Sequence, residues 1–440
     1  RAQTPSEASD VTPSEAPGEE PAQQGSFITI MGGGDGDLPL AVPAFKPGAG
    51  ATAEMLAAVH AVVLKDLDLI GLFKLLSQDA FIEPLSAGLE LGEFSFDDWK
   101  LPGASALIKI GISASGGELS ASMHAYNVDA GLELGSRDIP GMETDLKGFG
   151  HTVANAIVEA LTGERGIFHT KIAVIANFGS GKEVYVLDYD GSNPRPVSRN
   201  GSINLSPGWS PDGTKITYTS YRDNNPDLWM TNLTTGRHIK ISAWPGINSG
   251  AEWSHDGTEI ALTLSKDGDS EIYAIDPDGS ILRRLTRQYG IDVSPSYAPG
   301  DQTLCFVSSR NGNPQIFLMS RDGEVRRLTN RGGHNVAPAW SPDGRKIAFA
   351  GRDEGRFDIF VVNVDGTGLR RLTQTGTDDE DPTWSPDGRH IIFTSARDGA
   401  GKQLYIMSEN GEKPRRLTDG AGSYSNPMWG PDLLGPRTFR

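Results

Sequence analysis

Several residue groups in this 440-residue chain have the types and spacing that chemistry could use. The loop FGSGKE at 178–183 approaches a phosphate-binding pattern, in which glycine amides cradle phosphate and a lysine neutralises it. However, Ala176 holds the position of the required first glycine, and Glu183 replaces the hydroxyl that would hold magnesium. The loop also joins two strand-like runs, so a hairpin turn is expected. Aspartates recur in SPDG-type turns (Asp212, Asp256, Asp343, Asp387) and in DYDG or DPDG (Asp190, Asp278). None belongs to the alternating D-x-D-x-D-G run with a distal glutamate that calcium loops need, which leaves turn formation. The eight histidines show no H-x-x-x-H or Cys-His pairing for zinc, and Cys305 sits alone in the apolar run LCFV. No G-x-S-x-G nucleophile elbow occurs. No catalytic set, cofactor site or metal cluster can be assembled, and the chain reads as a non-enzyme.

One polar column is more suggestive. Five residues before each of six recurring aromatics stand Asn204, Asn248, Asp292, Asn335, Asp379 and Tyr424. They lie in loops that enter equivalent strands, so they are expected to ring one mouth of a common channel. Asn and Asp are ordinary turn residues, yet six polar loops gathered on a rigid scaffold also make a binding surface. Both readings stand at this point.

The aromatics themselves reveal the elements that must position the column. Trp209, Trp253, Tyr297, Trp340, Trp384 and Trp429 are spaced 44, 44, 43, 44 and 45 residues apart. Such a period, with several short strands in each copy, is that of propeller blades. In each copy an inner strand ends at the aromatic, and SPDG turns the chain. A second strand (KITYTS, HIIFTS), a third (DLWMTNL, QLYIMS) and a fourth, often RRLT, follow. The Arg pairs at 283–284, 326–327, 370–371 and 415–416 thus fall on outer edges, where charge discourages sheet aggregation. Second, third and fourth strands also occur at 171–176, 183–188 and 195–198, without an inner strand of their own. The final copy, at 425–430, supplies an inner strand and nothing else. The two deficits cancel if the last strand pairs with the first copy and closes a ring of six four-stranded blades.

Ahead of the ring the pattern changes. Residues 1–24 are rich in Pro, Glu, Ser, Ala and Gln and have too little apolar surface to order, so an acidic tail is expected. Residues 25–165 interleave strands (38–45, 105–115, 118–128, 131–139) with amphipathic helices at 52–76 and 143–162, the first capped by Thr52 and the second stopped by Gly163. This is a compact α/β domain, and 166–440 is the propeller. The formal charge of −17 opposes nucleic-acid binding, and no apolar stretch is long enough to cross a bilayer as a helix.

The order of α/β domain, junction LTGERGIFHTKI at 161–172, WSPDG blades and a terminal PMW fragment resembles the TolB family of the Tol-Pal cell-envelope system, over about residues 26–432. The resemblance implies a monomeric, non-catalytic periplasmic adaptor without a cofactor. Such an adaptor binds the lipoprotein Pal through the propeller face, here the six-residue column, and TolA through an N-terminal segment, here Phe27, Ile28, Thr29, Ile30 and Met31. It further implies roles in outer-membrane integrity and division, use by bacteriocins for import, and other outer-membrane lipoproteins or porins as additional partners. WSPDG blades also occur in prolyl-oligopeptidase-like peptidases and in small-ligand-binding propellers, which are the alternative readings. The acidic tail and the glycine-rich MGGGDGD depart from the family pattern.

Overall fold

The computed structural model describes residues 38–84, 86–179, 181–353, 355–399 and 401–432. The acidic segment 1–24 and Phe27–Met31 lie outside them. The chain opens with strands β1 (Leu38–Ala41) and β2 (Lys46–Pro47), helix α1 (Ala53–Leu69) and β3 (Phe73–Leu75). After a short helix, α2 (Asp97–Lys100), come β4 (Ala106–Ser115), β5 (Glu118–Asn127), β6 (Leu132–Met142) and helix α3 (Leu146–Thr162). The sheet order is β3-β1-β4-β5-β6, with β2 beside β4.

Helix α1 starts where Thr52 Oγ1 accepts the Met55 amide at 3.3 Å, and its stripe Leu56, Val59, Val63 and Leu67 is buried at helical spacing. It ends seven residues before the expected 76. Gly71 adopts a left-handed φ of 61°, and the chain beyond it leaves the helix to pair in parallel with β1. Apolar FKL fits either element, and the strand register Leu38↔Phe73 decides between them. Helix α3 is capped by Asp145 and stopped by Gly163 at φ 74°. Both long helices share one core with the sheet, while Trp99, Phe81, Phe94 and Phe96 cover Leu107 and Tyr126 in a separate cluster.

The ring follows as six four-stranded sheets. Blade 1 joins Lys171–Asn177, Glu183–Asp188 and Arg195–Pro196 to the C-terminal strand Ser423–Trp429, in antiparallel register from Ser423↔Asn177 to Trp429↔Ile172. This pairing closes the ring. Blades 2 to 6 span 204–242, 248–284, 292–327, 334–371 and 379–416. The strands flanking FGSGKE pair as a hairpin, and the SPDG aspartates serve turns: Asp212 Oδ1 accepts from Ser210 Oγ at 2.5 Å and the Thr214 amide at 3.0 Å. The four Arg pairs lie on the outermost strands.

The two domains meet at one end of the blade strands. Lys65 reaches Asp190 at 2.6 Å, Lys147 reaches Asp188 at 2.8 Å, Arg415 reaches Asp68 at 2.6 Å, and His390 Nε2 contacts the Ile70 carbonyl at 2.8 Å. Burial acts to raise Asp188, but hydrogen bonds from Lys147 and Lys171 outweigh it and hold this carboxyl well below its usual range. At the centre of the joint, wholly buried Asp66 accepts from the Tyr189 hydroxyl and pairs with His151 Nδ1 at 2.6 Å.

Candidate functional site

Every propeller residue in that joint stands where second or fourth strands begin or third strands end. Among the described residues the opposite strand ends, where inner and third strands begin, are left open, and the polar column lies there. Its side chains do not project from loop tips, as the sequence suggests. Asn204, Asn248, Asp292, Asn335 and Asp379 are at most 2% exposed, and Tyr424 only 3%. They brace the strand beginnings. Asn248 Oδ1 accepts from Ser242 Oγ (2.7 Å) and the Trp244 amide (2.9 Å), while its Nδ2 donates to the carbonyls of Trp244 and Gly246. Asn204 donates to Glu183 and the Lys182 carbonyl, and Asn335 to Gln315 and the Arg331 carbonyl. The reason is that a loop turning into an inner strand leaves buried amides and carbonyls, and an Asn supplies both a donor and an acceptor.

Where the column holds an acid, the balance changes. Asp292 lacks a donor and is matched by Arg310 at 2.8 Å, as the buried Glu271 is by Arg284 at 2.9 Å. Asp379 is likewise met by Arg397 at 3.2 Å, and Asp358 by Arg371 at 2.7 Å. Both Arg310 and Arg397 stand two residues beyond the second-strand partner of their aspartate, Ser308 and Ser395. Burial and the nearby Asp379 push Asp358 up, against the pull of Arg371.

Deeper in, each inner strand carries the same β-bulge, for example between Leu205 and Gly208 and between Glu380 and Thr383. The residue opening each bulge is left-handed: Ser206, Gly250, Ser294, Ala337, Asp381 and Asn426 have φ between 47° and 62°. Proline follows five of the six, at a position where a bulge needs no ladder amide. These bulges line a central channel of about 480 Å³. Glu252 also faces it, and burial pushes its carboxyl up to about 8; Asp381 is raised by the same cause. Around the mouth, exposed apolar side chains gather on the loops of neighbouring blades: Ile203, Trp244, Ile247, Tyr289 and Ile291.

Comparison with known proteins fits this geometry. The TolB β-propeller domain family matches residues 158–335 and 323–434, well over half the chain, and the TolB amino-terminal domain family matches 27–134. The chain belongs to the TolB family. The Tol-Pal system protein TolB of Desulfosudis oleivorans is 38% identical over 203 residues, 46% of each chain. That of Geobacter sulfurreducens is 41% identical over 191 residues, 43% of this chain and 44% of the relative. The chain thus spans about half the length of the curated relatives it matches. The crystal structure of TolB from Acinetobacter baumannii superposes with a TM-score of 0.80 at 28% identity, over 90% of this chain and 97% of that one.

For a TolB-family propeller, the open face therefore combines exposed apolar groups with polar groups already committed inside the fold. Cys305 is buried, and burial pushes its thiol up, away from reactivity. Among the described residues no three His, Cys, Asp or Glu side chains converge on a metal position, and no helix is long and apolar enough to cross a membrane. Sequence reasoning overlooked the bulge ring, Glu252 and the cations that answer the column aspartates. A proline three residues after the column position signals the first. An Arg eighteen residues after a column Asp signals the last.

Proposed function

We propose that this chain is a non-enzymatic periplasmic adaptor of the Tol-Pal system that docks Pal on the open propeller face. It recruits TolA through Phe27–Met31, and in this way supports outer-membrane integrity and envelope constriction at division. The relatives' names as Tol-Pal system proteins support the system. The observation that carries the docking surface is the exposed apolar set Ile203, Trp244, Ile247, Tyr289 and Ile291 on the face away from the N-terminal domain. Large apolar groups left in water around a channel mouth mark a protein contact, with aromatic residues as anchors. Asn204, Asn248, Asp292, Asn335, Asp379 and Tyr424 then act as positioning residues that fix these loops, since their own side chains are buried.

The test is a Trp244→Ser, Tyr289→Ser, Ile291→Ser chain titrated with the soluble domain of Pal by calorimetry. Affinity is expected to fall more than about tenfold, roughly 1.4 kcal/mol, with an unchanged melting temperature because all three side chains are exposed. Unaltered affinity in the folded triple variant would remove this surface from the Pal reading.

A further inference from the structure

Two residues beyond the second-strand partner of five of the six column residues stands a side chain that caps an aromatic of its own blade. In blade 2 Arg222 lies over Trp229 at 3.7 Å, and in blade 3 Lys266 lies over Tyr273 at 5.1 Å. In blade 4 Arg310 lies over Phe317 at 5.1 Å, and in blade 6 Arg397 lies over Tyr405 at 4.3 Å. Blade 1 uses Phe178, edge-on to Tyr185 at 5.1 Å. Five blades thus fill this slot with a side chain of their own, and four of the five use a cation.

Blade 5 does not. The same position holds Asp353, which follows Gly351, the partner of Asn335. Phe349 and Phe360 stack there at 5.6 Å and 16°, as the matching Phe306 and Phe317 do beneath Arg310 at 6.0 Å and 31°. In place of a capping side chain there is a cavity of about 200 Å³ bordered by Asn335, Phe349, Gly351, Asp353 and Phe360. Asn335 spends its Nδ2 on Gln315 and the Arg331 carbonyl. Its Oδ1 is left as acceptor where Asp292 and Asp379 receive their arginines. A Cβ on Gly351 would meet this oxygen and the Phe360 ring at 2.9 Å, so the missing side chain keeps the slot open. The adjoining arginines are occupied elsewhere: Arg371 pairs with Asp358 at 2.7 Å, and Arg352 covers Phe357 at 4.4 Å. Arg331 stands at the exposed rim.

We propose that the blade 5 slot receives an arginine side chain from the protein that docks on the open face, stacked on Phe349 and Phe360 and hydrogen-bonded to Asn335 Oδ1 and Asp353. The proposal rests on the docking reading above for its partner, but the slot itself stands on the comparison of blades. A guanidinium satisfies a π floor and in-plane acceptors together, as Arg310 does one blade earlier.

The full chain, labelled on phenylalanine rings, is titrated by NMR with N-acetylarginine amide and with its neutral citrulline counterpart. Saturable shifts at Phe349 and Phe360 are expected with the arginine compound alone, and are expected to vanish in Asp353→Arg, which supplies an internal cap of the kind blades 4 and 6 carry. No saturable shift, equal shifts with citrulline, or shifts that persist in Asp353→Arg would overturn the slot. In parallel, Asp353→Arg should weaken the soluble domain of Pal at least tenfold without lowering the melting temperature. Unchanged Pal affinity would overturn the assignment of the arginine to this partner. Arginine-specific shifts in a chain that does not bind Pal at all would sustain the slot and sink the docking reading instead.

Discussion

Replacing Trp429 by alanine removes the anchor of the strand that closes the ring. The indole is 6% exposed and packs into the core that includes Ile172, Val174 and Leu187 of blade 1. Its Nε1 donates to Thr170 Oγ1 at 2.8 Å, and its amide donates to Thr383 Oγ1 of blade 6 at 3.2 Å. Truncating a buried Trp to Ala costs about 3–5 kcal/mol, and the lost indole hydrogen bond about 1 more. The expected loss is therefore roughly 4–6 kcal/mol. At about 2 °C or more per kcal/mol for a domain of this size, the midpoint should fall by roughly 10 °C. Far-UV circular dichroism at one fixed scan rate is the assay, because large chains often unfold irreversibly. Trp244→Ala is the control: it deletes the same side chain from an exposed site and should shift the midpoint by no more than about 2 °C. A Trp429→Ala chain melting with the control would refute the claim that the last strand holds the ring closed.

Two further outcomes follow from the buried charges. Arg310→Met should cost about 3–5 kcal/mol in urea unfolding, because it strands Asp292 without its ion pair; adding Asp292→Asn, the residue found at 204, 248 and 335, should recover most of it. Failure of that rescue would mean that Arg310 stabilises by packing and not by charge. Glu252 titrates near 8 in the fold against 4.5 in its ordinary state, so the folded chain binds this proton more tightly. Its contribution is greatest below about pH 4.5, declines as pH rises through 8, and is bounded by roughly 5 kcal/mol. Glu252→Gln should therefore gain stability relative to the unaltered chain between pH 5 and 8; parallel stability curves across that range would exclude the unpaired carboxylate.

The six aromatics at regular spacing, the SPDG turns and the leftover inner strand were enough to derive a closed six-bladed ring, because a blade is a local object whose strands follow one another in sequence. Gly163 marked the end of α3 for the same reason: a left-handed cap is a property of one residue and its neighbours. Apart from the pairing that closes the ring, contacts distant in sequence were not legible in this way. FKL at 73–75 became a strand and not a helix because Leu38 pairs with Phe73 from more than thirty residues away. The column shows the difference most clearly. Sequence periodicity placed Asn248 and its equivalents at corresponding positions, but not whether they face water or the fold. That depended on whether neighbouring strands enclosed them, and the blades do enclose them, since buried strand beginnings require hydrogen-bond partners. The empty slot of blade 5 was likewise invisible one residue at a time. Asp353 is unremarkable in sequence and acquires meaning only where five other blades place a cap over the same aromatic position, a comparison that the pairing of strands in space makes possible.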